Sequence, residues 1–527
     1  MKSAEARSYI PEMTDSQNVN QSSREKIKKT LTDELIIGIC TPIGSSNQEV
    51  ISEIEKILKE QYKYKVKRLK LSAYIGKYAT TKTEKNVGET THFTTLMNKI
   101  IGGDELREKY SNSVLAELAI NDIHLSRHED DEGTLEFKET EELKSRRVCF
   151  IVDSIKHKEE LDLLREVYKD IFYFFSIFSP ISERKANLNK KGLSPSEIEK
   201  IIETDNFENS KHGQNVKDTF VEGDFFVRVS NENLSALNSK IDRYLTIIFE
   251  SGIVTPHPNE IAMYEAKSAA GNSACLSRQV GAAITNNRGE IISRGWNDVP
   301  KFGGNLYKEG DIEDNRCKFA GYCSNDRTKD ILADNILTNI LSDPKVDQQV
   351  GLKKLLKADV ELRNLIVSII RKSSKVKDLI EFSRSVHAEM HAIIIGSQLA
   401  GSKMIGGKLF CTTYPCHNCA RHIIVAGIKE IFYIEPYSKS LCLALHNDAM
   451  TEDETEDNKV KLLMYDGVAP RRYMDFFIMR RSRKDSDGKI NLEFKDHFNP
   501  KTRLSLQAVP TLEQQATHSL YEAGLLK

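Results

Sequence analysis

His387-Ala388-Glu389 and, further on, Thr412-Thr413-Tyr414-Pro415-Cys416-His417-Asn418-Cys419 decide how this chain is read. Together they spell H-x-E followed by P-C-x-x-C. His387, Cys416 and Cys419 form a three-ligand set for one Zn²⁺ with an open fourth position, and such a site makes hydroxide available near neutral pH. Glu389 lies two residues from the histidine and is not itself a ligand. Its carboxylate is suited to take a proton and hand it on. The local pattern agrees with this reading. Met390-His391-Ala392-Ile393-Ile394-Ile395 predicts a buried helix with His387 and Glu389 in its first turn. Cys416 and Cys419 open a second apolar helix, Ala420 to Gly427, directly after the apolar run Leu409-Phe410-Cys411. Pro415 suits a helix start. Thiols at a helix N-terminus ionise more easily, which favours metal binding.

C-x-x-C by itself also fits a redox pair or half of a structural zinc site, and H-A-E by itself arises by chance. In this order, each at a helix start, the two make the motif of zinc-dependent deaminases. A zincin needs Glu directly after the first His, and Ala388 stands there. His391 falls one turn after His387, where a helix-packing histidine is expected rather than a fourth ligand.

Working outward, 527 residues are enough for two or three domains. The 76 basic and 77 acidic residues nearly cancel, so no overall basic excess points to a protein that coats nucleic acid. Nine unevenly spaced cysteines predict a reducing cytoplasm rather than a disulfide framework. The most apolar stretch, Ile171 to Phe178, is too short to span a bilayer. No membrane partner is expected, and the location expected is cytoplasmic.

Residues 1–33 are polar and predict a flexible arm. Leu35-Ile36-Ile37-Gly38-Ile39-Cys40-Thr41-Pro42-Ile43-Gly44-Ser45-Ser46, followed by Val50, Ile51, Ile54, Ile57 and Leu58, reads as strand, glycine-containing loop and amphipathic helix. Such a loop can cradle phosphates on backbone N–H groups. Against G-x-x-x-x-G-K-[ST], Gly44 and Ser46 fit, Gly38 comes one residue early, and Ser45 replaces the lysine. Val148 to Asp153 is an apolar strand ending in an acid, a candidate Mg²⁺ ligand for a bound nucleotide. Gly38, Gly44, Ser45, Ser46 and Asp153 are therefore candidate nucleotide-binding residues; a plain strand-to-helix turn is the alternative. Further strands at Ile171–Phe175 and Phe225–Val229 alternate with helices, which predicts an α/β fold with a parallel sheet over residues 34–250. Glu129 to Glu142, with eight acids, reads as a solvated insert.

Residues 251–258, with two prolines, have the composition of a linker. A second domain is predicted over residues 259–480: a helix, a hairpin turning at Asn286–Gly289, the zinc motif and closing strands. Asn297, just past the hairpin, stands where the deaminase family pattern resembled here places an Asn on the substrate sugar or base, with an ordinary turn residue as the alternative. Arg278 has the reach to meet a phosphate, against the plainer reading of a solvated arginine. Residues 300–380 form a charged insertion. Cys317 and Cys323, with Cys275 upstream, are candidates for a second, structural zinc or are unpaired thiols. Residues 481–527 read as a tail whose apolar end, Leu520 to Leu526, suits docking on another copy.

Ser277-Arg278-Gln279-Val280-Gly281-Ala282-Ala283-Ile284, Gly295-Trp296-Asn297, His387-Ala388-Glu389 and Thr412 to Cys419 resemble deoxycytidylate deaminases. The fusion to a degenerate P-loop kinase-like domain, and Glu435-Pro436-Tyr437-Ser438-Lys439-Ser440-Leu441, resemble bacterial two-domain anti-phage deoxycytidine nucleotide deaminases. The resemblance implies a cytidine-deaminase-like α/β/α domain behind a kinase-like sheet. It also implies hydrolytic deamination of dCTP, dCMP or both, draining that pool during phage replication. Homo-oligomers, a regulatory nucleotide and an inhibitory small RNA are implied in the same way. Simple deoxycytidylate deaminases usually carry Asn where His391 stands and lack the 300–380 insertion. Two other readings compete: a deaminase of bases in RNA or single-stranded DNA, which shares the zinc motif but lacks a basic stripe here, and a nucleotide-sensing kinase-like switch.

Overall fold

The computed structural model describes residues 22–81, 88–129, 135, 143–206, 212–343, 345–346, 352–373, 375–437, 440–490 and 495–526. Two six-stranded sheets organise them. The first has the order β12-β5-β4-β1-β3-β2. β1 (Leu35–Cys40), β3 (Val148–Asp153) and β4 (Phe172–Phe178) are buried at every position. Continuous apolar strands of this kind suit the centre of a parallel sheet covered on both faces. Helices Asn47–Glu60 and Leu234–Phe249 cover one face through Val50, Ile54, Ile241 and Leu245. Helices Val114–Leu125 and Lys158–Tyr168 cover the other through Leu115, Ile120, Leu161 and Leu164. β1 lies between β3 and β4, so the loop after β1 leaves the sheet where the strand order reverses.

β2 (Lys65–Lys70) is one strand the composition hides. Its sequence, KVKRLK, is cationic because it forms the outer edge beside β3, where charge discourages further pairing.

The ends of the chain correct three expectations. Residues 22–33 are not a loose arm: Ser22 caps a helix at Ser23–Lys29, Leu31 bridges Ser505, and Thr32 is fully buried. Residues 1–21 lie outside the described residues, as does most of the acidic stretch 129–142. The reading of 259–480 as one domain fails at its end, because β12 (Gly467–Val468) pairs antiparallel with β5 (Phe225–Arg228) of the first sheet. Phe476 and Phe477 then enter that sheet's core. The 481–527 tail folds back as well. Helix Val509–Glu522 packs against Val114–Leu125, and Leu520 is buried in the same chain, so this apolar end is covered without a second copy.

The second sheet has the order β10-β11-β9-β8-β6-β7. β6 (Gly281–Thr285) and β7 (Ile291–Trp296) form the expected hairpin, with Gly289 in the left-handed region at φ +84°. β8 (Lys408–Thr413) runs antiparallel to β6 and parallel to β9 (Glu430–Glu435). β11 (Val460–Met464) and the short β10 (Met450–Thr451) complete the sheet. Glu260 joins the two halves: it ion-pairs with Arg243 at 2.6 Å and accepts a hydrogen bond from the Val468 amide at 3.0 Å. Among the described residues no helix is long and apolar enough to cross a membrane.

Candidate active site

Two helix starts and one strand build the zinc site. His387 is the N-cap of helix Ala388–Ala400, and Cys416 is the N-cap of helix His417–Val425 directly after β8. Neither cap position is satisfied by its own side chain, which leaves both side chains to converge. Helix Ala388–Ala400 can lie close on β7 because position 295 is glycine. A Cβ there would sit 2.3 Å from the Ala388 carbonyl oxygen and 2.4 Å from the Ala392 nitrogen. Gly295→Ala is therefore expected to push the helix off the strand and destabilise the fold by about 1–3 kcal/mol, with weaker zinc retention. Thermal melting and zinc content measured after dialysis check it.

The His387 Nδ1 lies 3.3 Å from Cys416 Sγ and 3.4 Å from Cys419 Sγ. All three ligand atoms fall within 4.8 Å of one another, and among the described residues no other cluster of His, Cys, Asp and Glu is so arranged. The donor set fits the ion. One imidazole nitrogen and two sulfurs, nearly dry, suit borderline-soft Zn²⁺, and three protein ligands leave the fourth position for chemistry. Cys416 is held down to about 4, first by its hydrogen bond with Cys419 and then by His387, so a thiolate is ready for the metal.

Glu389 is buried beside the cluster, and burial first, then Cys416, pushes its carboxyl above the usual range. It lines a cavity of about 310 Å³ together with His387, Cys416, Asn297 and Arg278. The Asn297 side chain accepts from the Val280 amide at 2.8 Å and donates to the Arg278 carbonyl at 3.0 Å. It thus ties the 278–280 segment to the cavity wall while one N–H and one lone pair remain for another partner. Arg278 is half exposed at the mouth, its guanidinium 5.6 Å over the Tyr437 ring and 3.9 Å from Glu435. Ser438 and Lys439, which follow Tyr437, lie outside the described residues.

His391 is not a ligand. Its Nδ1 accepts from the Trp296 amide at 3.2 Å and its Nε2 faces Asn305 Oδ1 at 3.0 Å, which fixes a neutral ring with the proton on Nε2. Cys317 and Cys323 join no second metal cluster among the described residues; Cys323 Sγ faces Ser277 Oγ at 3.6 Å.

Three amides of the glycine loop of the first sheet are engaged internally. The Ile43 amide donates to Asp205 at 2.6 Å, Ser45 to the Pro42 carbonyl at 3.2 Å, and Ser46 to Ser179 Oγ at 3.2 Å. Asp153 is ion-paired with Arg68 at 2.6 Å rather than open to a cation. Gly38 sits within β1, where a Cβ would meet the Phe172 ring at 2.6 Å, so it is a packing glycine and no part of a phosphate loop. Gly44 packs against Arg184 with φ +86°, which makes it a turn residue held by the neighbouring helix.

The sequence reading missed the roof of the zinc cavity. Asn325, Lys329 and Lys377 come from the 300–380 insertion and line it. Lys329 is 5% exposed and donates to the Lys377 carbonyl at 3.0 Å. One signal was present: Lys329, Ala333 and Leu337 recur at helical spacing on the buried side of helix Ser324–Ser342, so a cation occupies an inward position.

A half-buried imidazole and two buried cysteines in this arrangement, with a carboxyl beside them, define a zinc-dependent deaminase. Residues 257–435 match the family model described as cytidine and deoxycytidylate deaminase zinc-binding region. The deoxycytidylate deaminase of Enterobacteria phage T2 is 31% identical over 168 residues, 32% of this chain and 74% of that protein. The deoxycytidylate deaminase of Enterobacteria phage T4 is 30% identical over 171 residues, 32% of this chain and 72% of that protein. A solved dCMP deaminase of cyanophage S-TIM5 aligns over 40% of this chain and 100% of that chain, at 18% identity and TM-score 0.22. The chain belongs to the deoxycytidylate deaminase family. It is a nucleotide deaminase, a hydrolase that uses zinc.

Proposed function

We propose that the chain hydrolyses the exocyclic amino group of deoxycytidine nucleotides, dCMP, dCTP or both, to give dUMP or dUTP and ammonia. The observation that carries this is the buried Glu389 beside the His387, Cys416 and Cys419 cluster, in a cavity of about 310 Å³. Relatives named deoxycytidylate deaminase support the substrate class. Zinc supplies the Lewis acidity that makes hydroxide available near pH 7. Glu389 accepts a first proton from the attacking water and delivers it to the ring nitrogen, then takes the second proton from the newly added hydroxyl and delivers it to the departing amine. Water is consumed, the C–N bond breaks, and ammonia leaves. Asn297 offers its free N–H and lone pair to the sugar or base. Arg278, Lys329 and Lys377 give the cavity the positive charge a phosphate tail requires.

In this reading the first sheet is a degenerate kinase-like unit that senses a regulatory nucleotide, and the enzyme drains cytidine deoxynucleotides in anti-phage defence. Assembly of several copies and restraint by a small RNA belong to the same reading. The resemblance to two-part anti-phage enzymes supports these roles. Cytidine, CTP, dCMP, dCTP and a cytosine-containing oligonucleotide, each incubated with the purified chain, test it. Ammonia is expected from deoxycytidine nucleotides alone. Turnover confined to the oligonucleotide overturns the substrate assignment.

A further inference from the structure

The zinc cavity has walls of two origins. His387, Glu389 and Cys416 reach it from the two helix starts beside the second sheet. Asn325, Lys329 and Lys377 reach it from the 300–380 insertion.

The insertion is fastened to the rest of the site at several points. The Arg316 guanidinium lies 3.8 Å from the carboxylate of Asp298, the neighbour of Asn297, and both side chains are buried. The Asp298 carbonyl accepts from the Val386 amide at 2.9 Å, one residue before the ligand His387. Arg371, on helix Val360–Ser373, donates to Asp326 at 2.7 Å and to Asp330 at 2.8 Å on helix Ser324–Ser342. The Asn325 amide and the Lys329 ammonium donate to the carbonyls of Leu379 and Lys377, at 3.2 Å and 3.0 Å. A roof held in this way needs little further ordering when a ligand enters.

What the roof brings is positive charge. Arg278, Lys329 and Lys377 line the cavity; the acids that line it are Glu389 and Asp326, and Asp326 is turned to Arg371. Arg278 lies 3.9 Å from Glu435, but both are about half exposed, so that pair is weak. Lys329 differs from the other two cations. It is 5% exposed, and its bond to a neutral carbonyl orients the ammonium without cancelling its charge. A phosphate monoester carries about two negative charges, and each further phosphate brings about one more. Cations supplied by two separate segments exceed what one phosphate uses and suit a longer tail.

We propose that Lys329 is a specificity-determining residue of this cavity: its ammonium, with Lys377 beside it, holds the phosphates beyond the first, so that dCTP is preferred to dCMP. The proposal rests on the deaminase reading above for the base that enters.

Steady-state deamination of dCTP and dCMP by the zinc-loaded full chain tests it. The kcat/KM for dCTP is expected to exceed that for dCMP about tenfold or more. Lys329→Met should lower this ratio about tenfold or more with zinc content kept. The loss should fall on the KM for dCTP, because the tail is bound alike before and during the chemical step. A lysine that only braces the roof would instead lower both substrates equally. Lys377 is exposed, so Lys377→Glu tests the charge even where Lys329→Met fails to fold, and should move the ratio the same way. An unchanged ratio in Lys329→Met, or in Lys377→Glu where the former does not fold, overturns the assignment, as does a parent that prefers dCMP. Equilibrium dialysis of Glu389→Gln with each nucleotide separates the two readings. Tighter binding of dCTP without turnover in the parent overturns the deaminase reading and leaves the tail contact standing. Turnover in the parent with equal binding of dCTP and dCMP overturns the tail contact alone.

Discussion

Glu389→Gln is expected to lower deamination by about 10³-fold or more while the protein keeps its fold and its zinc. The substitution preserves shape and volume at a side chain that is 4% exposed, so packing around the cluster changes little. It removes the one carboxylate placed to carry the proton from water to the ring nitrogen and then to the amine. Both proton transfers fail together, so kcat is expected to collapse while substrate binding survives. Single-turnover assays, dialysis with a non-hydrolysed nucleotide and elemental analysis distinguish loss of chemistry from loss of metal. Turnover within tenfold of the parent would refute the role given to Glu389.

Glu513→Ala is expected to cost about 3–5 kcal/mol of stability, because it takes one of two carboxylates from the buried Arg127 and the acceptor from the buried Tyr168 hydroxyl. Glu513 is fully buried on helix Val509–Glu522. It is ion-paired with Arg127, accepts from the Tyr168 hydroxyl at 2.8 Å, and lies 3.3 Å from the His124 ring. Arg127 also donates to Glu34 at 2.5 Å, and Arg146 meets the other Glu34 oxygen at 2.7 Å. The network fastens the C-terminal helix to the approach to β1. Urea unfolding followed by circular dichroism reads the loss; Glu513→Gln should lose less, because it keeps the shape and the Tyr168 acceptor. Burial pushes the Glu34 carboxyl up, but Arg127 and Arg146 prevail and hold it below its ordinary 4.5. Its contribution is therefore full above about pH 4.5 and is lost as pH falls through the lower folded value. A melting temperature indifferent to Glu513→Ala would show that the helix is held by apolar contact alone.

The zinc cluster was legible because its chemistry is local: two short motifs at two helix starts bring His387, Cys416 and Cys419 together, and His391 turns instead to the Trp296 amide and Asn305. The central strands were legible because burial on both faces leaves continuous apolar runs such as Phe172–Phe178. What escaped depends on contacts far apart in sequence. β2 is charged because its outer edge faces solvent, and β12 is two residues whose pairing with β5 no local pattern announces. Lys329 looks like any surface lysine until Ala333 and Leu337 show which side of the helix is covered. The glycine loop misled for a different reason. A strand-turn-helix has one look in sequence whether its amides await a phosphate or are already held by Asp205 and Ser179.

Because β12 follows the whole second sheet in the chain, the outermost strand of the first sheet is made only after residues 281–464. β5 keeps a bare edge until residues 467–468 emerge, and the surface under helix Val509–Glu522 waits longer still. The zinc-bearing sheet, continuous from β6 to β11, is complete first. A fragment cut at residue 250 would carry that unpaired edge permanently and should self-associate, whereas the intact polypeptide seals it with Gly467 and Val468.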